Sequence, residues 1–186
     1  MDGEATRDRR VQRTERALSD ALFSLIQTKR YDRVTVQDIV EHADVGRSTF
    51  YSHFATKDDL LLGRLTQLTA DIDRHMADAA ADDGPVLPSL GLFQHVVERE
   101  PMFRALIGSS GIELVTREVR RMLRDRALAT IRAREQRGIT HPTPPHLRAA
   151  FLAGSLTAFV QWWLDNGMNE TAAEMDEAFQ RCVANA

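Results

Sequence analysis

The chain has 186 residues, a formal net charge of −3 and a single cysteine, Cys182. That length suits a small domain joined to a larger one, the charge supplies no overall basic field for nucleic acid, and one thiol excludes an internal disulfide and points to a reducing compartment. The N-terminus is polar, and the most apolar segment, Ala149 to Leu164, is interrupted by Ser155, Thr157 and Gln161 and too short to span a bilayer, so we read a cytoplasmic protein with no membrane partner.

Helical periodicity dominates, and no stretch sustains period-two alternation. A first helix is predicted from about Arg7 to Thr28 on the apolar stripe Leu18, Ala21, Leu22, Leu25 and Ile26. Arg7, Arg9, Arg10, Arg13 and Arg16 crowd its start, as either a solvated arm or a phosphate-contacting one. Thr35 with Asp38, and Thr56 with Asp59, have the spacing of capping boxes. Between them the spacing predicts a two-turn helix burying Val36, Ile39, Val40 and Ala43, then the turn Ala43-Asp44-Val45. A second two-turn helix follows, capped by Gly46 and burying Phe50 and Phe54. Asp44 is the left-handed residue of that turn, since Asp tolerates positive φ better than most residues.

A long helix is expected from Lys57 to about Ala80, ended by Asp82-Asp83-Gly84-Pro85. After it come a helix near Pro88 to Arg99, a short one from Pro101, and a long one from about Ile112 to Arg137 closed by Gly138. The next is capped by Thr143 with Pro144 at its first position and ends near Asn166-Gly167; the last is capped by Thr171 with Glu174 and ends near Val183. The expectation is an all-α protein of about nine helices. It divides into a three-helix helix-turn-helix head over residues 1–63 and a helical body over 64–186.

Two short helices joined by a three-residue turn have helix-turn-helix geometry. Arg47 at the start of the second helix can reach a guanine edge, and Ser48 and Thr49 are short enough for that helix to enter a major groove. Tyr51, His53, Lys57 and Thr35 suit phosphate oxygens. A well-capped helical corner with no DNA role would show the same spacing. The run from Thr35 to Leu60, with its core Thr49-Phe50-Tyr51-Ser52-His53-Phe54-Ala55-Thr56-Lys57, closely resembles the TetR/AcrR family of bacterial regulators. The resemblance covers roughly Arg13 to Leu62, and more loosely Phe151 to Met168. It implies a double-stranded DNA operator as partner, a two-fold homodimer, and a C-terminal body holding a pocket for a small-molecule effector. Positions matching Arg47, Ser48 and Thr49 then face bases, and those matching Thr35, Tyr51, His53 and Lys57 hold phosphates. Asp44, where the family turn has glycine, and Gly46, where the cap is Ser or Asn, are departures.

In the body, Phe93, His95, Met102, Phe103, Leu106, Met122, Phe159 and Trp162 are candidate walls of an apolar pocket, with ordinary core as the alternative for each. Ala153, Gly154, Ala178 and Phe179 are candidates for a dimer face between the last two helices, or else cover the protomer core. Cys182 reads as buried. No catalytic residue, metal site or cofactor is expected: the six histidines form no ligand pair, and there is no phosphate loop or nucleophile elbow. The functional expectation is a repressor that is released from a palindromic operator by an apolar or weakly polar organic ligand; a structural DNA binder with a filled body is the alternative.

Overall fold

A computed structural model of the chain describes residues 2–63 and 84–185, with side chains of the first helix described from Arg10 onward. All regular structure in these residues is helical. The elements are α1 (Asp2–Ile26), a 3₁₀ turn (Tyr31–Arg33), α2 (Val36–His42), α3 (Arg47–His53) and α4 (residues 57–63 of it described). Then come α5 (Leu90–Glu98), α6 (Glu100–Leu106), α7 (Ser110–Gln136), α8 (Pro145–Asp165) and α9 (Ala172–Ala184). The expected run of α4 from residue 64 to about Ala80, and the side chains of Arg7 and Arg9, lie outside the described residues.

The local signals act as their chemistry requires. Thr35 and Thr171 form complete capping boxes with Asp38 and Glu174, and Thr56 does the same with Asp59. Asp44 takes φ 51°, and the Val45 N–H reaches back to Val40 O at 3.0 Å, so α2 ends in a Schellman turn. Gly138 ends α7 in the same way, at φ 86° with the Ile139 N–H on Arg134 O. The start of α8 differs from expectation. Pro144 is the cap and Pro145 the first helical residue, while the Thr143 N–H turns to His141 Nδ1.

The chain forms two compact units: Met1–Gln67 with Pro101–Leu114, and Leu68–Glu100 with Val115–Ala186. In the first, α1 packs on α2 and α2 on α3. Leu18, Leu22, Ile26, Tyr31, Val34, Ile39, Val40, Phe50, Leu60 and Leu61 are buried there. Helices as short as α2 and α3 are unstable alone, so this core holds them at about 1.5–3 kcal/mol per large side chain buried. The 3₁₀ turn is fastened to residues 108–111. Arg30 donates to Gly108 O, and Asp32 accepts from the Ser110 N–H at 3.0 Å and hydroxyl at 2.6 Å, bonds that hold its carboxyl below the usual range. Gly111 is required beside them: a Cβ there would lie 2.7 Å from Leu106 Cδ2 and 3.0 Å from Tyr31 Cδ1.

In the second unit α9 packs on α5 and α8. Trp163 and Phe93 meet edge to face at 5.6 Å, and Phe159 and Phe179 at 5.5 Å. Helix α7 belongs to both units, giving Ser110–Leu114 to the first and the remainder to the second.

Candidate nucleic-acid interface

Helix α3 is anchored from behind. Phe50 is fully buried, with Phe54 beside it at 6.0 Å between ring centroids. That anchoring turns Arg47, Ser48, Tyr51 and Ser52 outward. The Arg47 guanidinium lies over the Tyr51 ring, 5.7 Å from its centroid, and the ring stands edge-on against Phe50 at 5.4 Å. Tyr51 is 49 % exposed, so its hydroxyl reaches solvent while its ring orients the arginine. Thr49 is half-buried, and its carbonyl accepts from the Ser52 hydroxyl at 2.7 Å.

The other three residues read as phosphate contacts have polar atoms already engaged. The Thr35 hydroxyl and N–H both bond the Asp38 carboxylate, at 2.8 and 2.7 Å. Asp38 also takes the Lys29 ammonium at 2.6 Å, and these bonds, the lysine's foremost, hold its carboxyl at about 2. His53 turns Nδ1 toward Glu15 on α1, at 3.4 Å. Lys57 donates inward to Tyr31 O at 2.8 Å and Val34 O at 2.9 Å, and lies 4.5 Å from the centre of the Tyr31 ring. It therefore caps the carbonyls of the 3₁₀ turn. Tyr31 itself is buried and donates to Asp58, and both facts push its phenol well above the ordinary tyrosine range.

The body residues fall differently from the sequence reading. Met102, Phe103 and Leu106 belong to the first unit, whereas Phe93, His95, Met122, Phe159 and Trp162 belong to the second, so neither unit brings the eight together. Phe93 and His95 are buried, Met122 and Phe159 half-buried, and Trp162 is 52 % exposed. Successive helical residues point about 100° apart; Trp163 is the one turned inward, its indole N–H on Glu170 O at 3.2 Å. A cleft of about 610 Å³ in the second unit is lined instead by residues that include Gln94, Val97, Glu98, Trp163, Met168 and Glu170. Of the dimer candidates, Ala153 is 0 % and Phe179 1 % exposed. Both side chains are buried within the protomer. Gly154 and Ala178 are partly open. The outward side of α8 carries Leu147, Phe151, Ala158 and Trp162, of which the sequence reading did not single out Leu147 and Phe151. Cys182 is exposed rather than buried.

Among the described residues no helix is long and apolar enough to cross a membrane, and no group of three His, Cys, Asp or Glu is placed to hold a metal.

Comparison with known proteins agrees with this architecture. Residues 18–63 match the family described as bacterial regulatory proteins, tetR family, and residues 89–185 match a family described as transcriptional regulator C-terminal region. The HTH-type transcriptional regulator YxbF of Bacillus subtilis (strain 168) is 36 % identical over 75 residues, 40 % of this chain and 20 % of that protein. The HTH-type transcriptional regulator TcmR of Streptomyces glaucescens is 26 % identical over 98 residues, 53 % of this chain and 43 % of that protein. The matches thus span less than half the length of these curated relatives. The crystal structure of NalD, the secondary repressor of the MexAB-OprM multidrug efflux pump in Pseudomonas aeruginosa, has the same fold, with a TM-score of 0.64 at 17 % identity over 92 % of this chain and 96 % of that one. Both matched families consist of regulators, not enzymes. With its all-helical fold, its anchored helix-turn-helix and matches along most of its length, this chain belongs to the TetR family of transcriptional regulators.

Proposed function

We propose that the protein is a cytoplasmic homodimeric repressor that binds a palindromic operator and is released by a small organic effector with an apolar or weakly polar body. The observation that carries this reading is the outer face of α3, where Arg47, Ser48 and Tyr51 stand exposed together on a helix clamped by Phe50. A guanidinium pre-oriented on an aromatic ring suits a bidentate bond to guanine in the major groove, and the Tyr51 hydroxyl suits the flanking phosphate. NalD, the secondary repressor of an efflux pump, shares the fold and supports the sign of regulation. The cleft offers Val97, Trp163 and Met168 to the apolar body of an effector and Gln94, Glu98 and Glu170 to its polar groups.

The dimer face of this reading is the outward stripe of α8. Leu147, Phe151, Gly154, Ala158 and Trp162 fall within about a quarter turn of one another at 100° per residue. Phe151 is 51 % exposed, and an added Cβ at Gly154 would meet nothing within 4 Å. Large apolar groups flanking small residues favour the close approach of a matching helix. Phe151→Glu is expected to give a monomer in sedimentation and to lose operator binding with it, because the second half-site is then no longer held at high effective concentration. An intact Phe151→Glu dimer would place the interface elsewhere.

Gel-shift titration over a genomic fragment library tests the DNA reading. The expected result is a palindromic site with half-sites about 34–36 Å apart, or a multiple of that, and steep loss of affinity with salt. Absence of binding to every fragment at low salt would sink it. Arg47→Ala is expected to cost about 1–3 kcal/mol on the selected site and to relax preference at one base pair. Unchanged sequence preference would remove Arg47 from base readout.

A further inference from the structure

The body carries a second concavity, away from the cleft beside Trp163. A groove of about 390 Å³ between α7 and α8 is lined by Arg117, Arg120, Arg121, Arg124, Ala150 and Ala153. We infer that this groove is a binding site for a small phosphate-bearing molecule, held by the guanidinium groups of Arg117 and Arg120.

Four guanidinium groups at i, i+3, i+4 and i+7 share one side of α7. Like charges at such spacing repel across the helix surface, so their neighbours matter. Arg121 is paired with Glu118 and with Asp125 at 3.3 Å, and Arg124 with Asp125 at 2.9 Å. Arg117 makes no short hydrogen bond or ion pair among the described residues, although its charge helps hold the neighbouring Glu118 carboxyl below the usual range. Arg120 has a single bond, from Nε to Thr157 Oγ1 at 3.1 Å. Glu118 and Asp125 are the carboxylates paired with these four guanidinium groups, so positive charge predominates at the groove.

Arg120 is also oriented. Thr157 is buried on α8, and its own hydroxyl is tied to Ala153 O and Gly154 O at 3.0 Å. Anchoring Nε fixes the plane of the guanidinium and leaves both terminal nitrogens, four N–H donors, without a partner at the groove. Arg117 adds its fork one turn away. A tetrahedral phosphoryl group accepts from two planar forks at once, which is the geometry arginine recognises best. Ala150 and Ala153 leave room where larger side chains would fill the groove, whose volume is at the small end of that of ligand sites. On a helical wheel Ala150 and Ala153 lie about 60° and 120° from Leu147, on the side opposite to the turn that carries Trp162.

The experiment is isothermal titration of the full chain at constant ionic strength, with pyrophosphate, inorganic phosphate and succinate as probes. The expected result is saturable binding of pyrophosphate at one per protomer, weaker binding of phosphate and weakest of succinate. The double variant R117Q/R120Q is expected to lose at least tenfold in pyrophosphate affinity, whereas R121Q, whose guanidinium is already spent on Glu118 and Asp125, stays within about twofold. T157V keeps every charge but frees Arg120, and is expected to weaken pyrophosphate severalfold, a change that net charge alone would not produce. The inference is overturned by non-saturable uptake, by equal affinity in R117Q/R120Q, or by succinate binding as tightly as pyrophosphate. It is also overturned if R117Q/R120Q dissociates a dimer that takes up no pyrophosphate, which would assign the groove to a carboxylate of the second copy. Loss of duplex DNA binding in that variant, with no uptake of pyrophosphate by the wild type, would assign it to nucleic acid. Because the groove and α3 are read out separately, failure here leaves the operator experiment standing.

Discussion

Lys57→Met is expected to lower the stability of the DNA-binding unit by about 2–3 kcal/mol, while leaving the salt dependence of any remaining DNA binding nearly unchanged. The ammonium makes two good hydrogen bonds, to Tyr31 O and Val34 O, in a part-buried setting. Hydrogen bonds to charged donors contribute about 1.5–3 kcal/mol each, and a carbonyl left without a donor costs more when buried; partial exposure reduces the total. Methionine keeps the apolar stem, so the loss reads the charge and its bonds rather than packing. The measurement is urea unfolding followed by far-UV circular dichroism, with amide exchange of α2 and α3 to locate the loss. The competing outcome is sharp. If stability holds and the slope of log affinity against log salt falls by about one unit, Lys57 contacts phosphate, as its place in the motif implied.

Gly111→Val is expected to cost about 3 kcal/mol, near the upper end for overpacked cores. The first branching atom would already lie 2.7 Å from Leu106 Cδ2 and within 3.1 Å of two atoms of the Tyr31 ring. Neither neighbour yields easily. Leu106 and Tyr31 are both fully buried, and the tyrosine is held by Lys57 on its face and Asp58 at its hydroxyl. Gly111→Ala meets the same contacts with less bulk and gains helix propensity, so a loss of about 1–2 kcal/mol is expected. Urea midpoints for both variants check this, and a wild-type midpoint for Gly111→Val would show that the 108–111 segment moves aside freely. Both substitutions fall beside the Tyr31 ring. They share that ring as a neighbour, so their costs are expected to couple rather than add.

The capping boxes at Thr35, Thr56 and Thr171, the left-handed Asp44 and the stop at Gly138 were legible because each is settled by atoms within a few residues of the chain. The anchored face of α3 was legible for a related reason: Phe50 and Phe54, four apart, leave only one side of a two-turn helix for polar residues. The start of α8 was not: Thr143 followed by Pro144 and Thr143-Pro144 followed by Pro145 both put a proline at the first helical position, and the structure takes the second, with Pro144 as the cap.

The sequence by itself determined the helical class, the helix-turn-helix and its outward residues, because periodicity, caps and turn chemistry are local and cheap to satisfy in only one way. Tertiary structure alone decided which side of an almost wholly apolar helix faces inward. On α8 the apolar residues run round most of the circumference, so nothing in the spacing separates Ala153 and Trp163, which are buried, from Phe151 and Trp162, which are not. It also decided how charge is spent. Lys57 carries a group that suits phosphate, but two carbonyls brought within 3 Å by the fold claim it first. Arg117 and Arg120 look in sequence like part of a solvated charged face. Only the placing of α7 beside α8, with a buried threonine holding one guanidinium and two alanines leaving space, sets them at a groove where guanidinium groups outnumber the carboxylates paired with them.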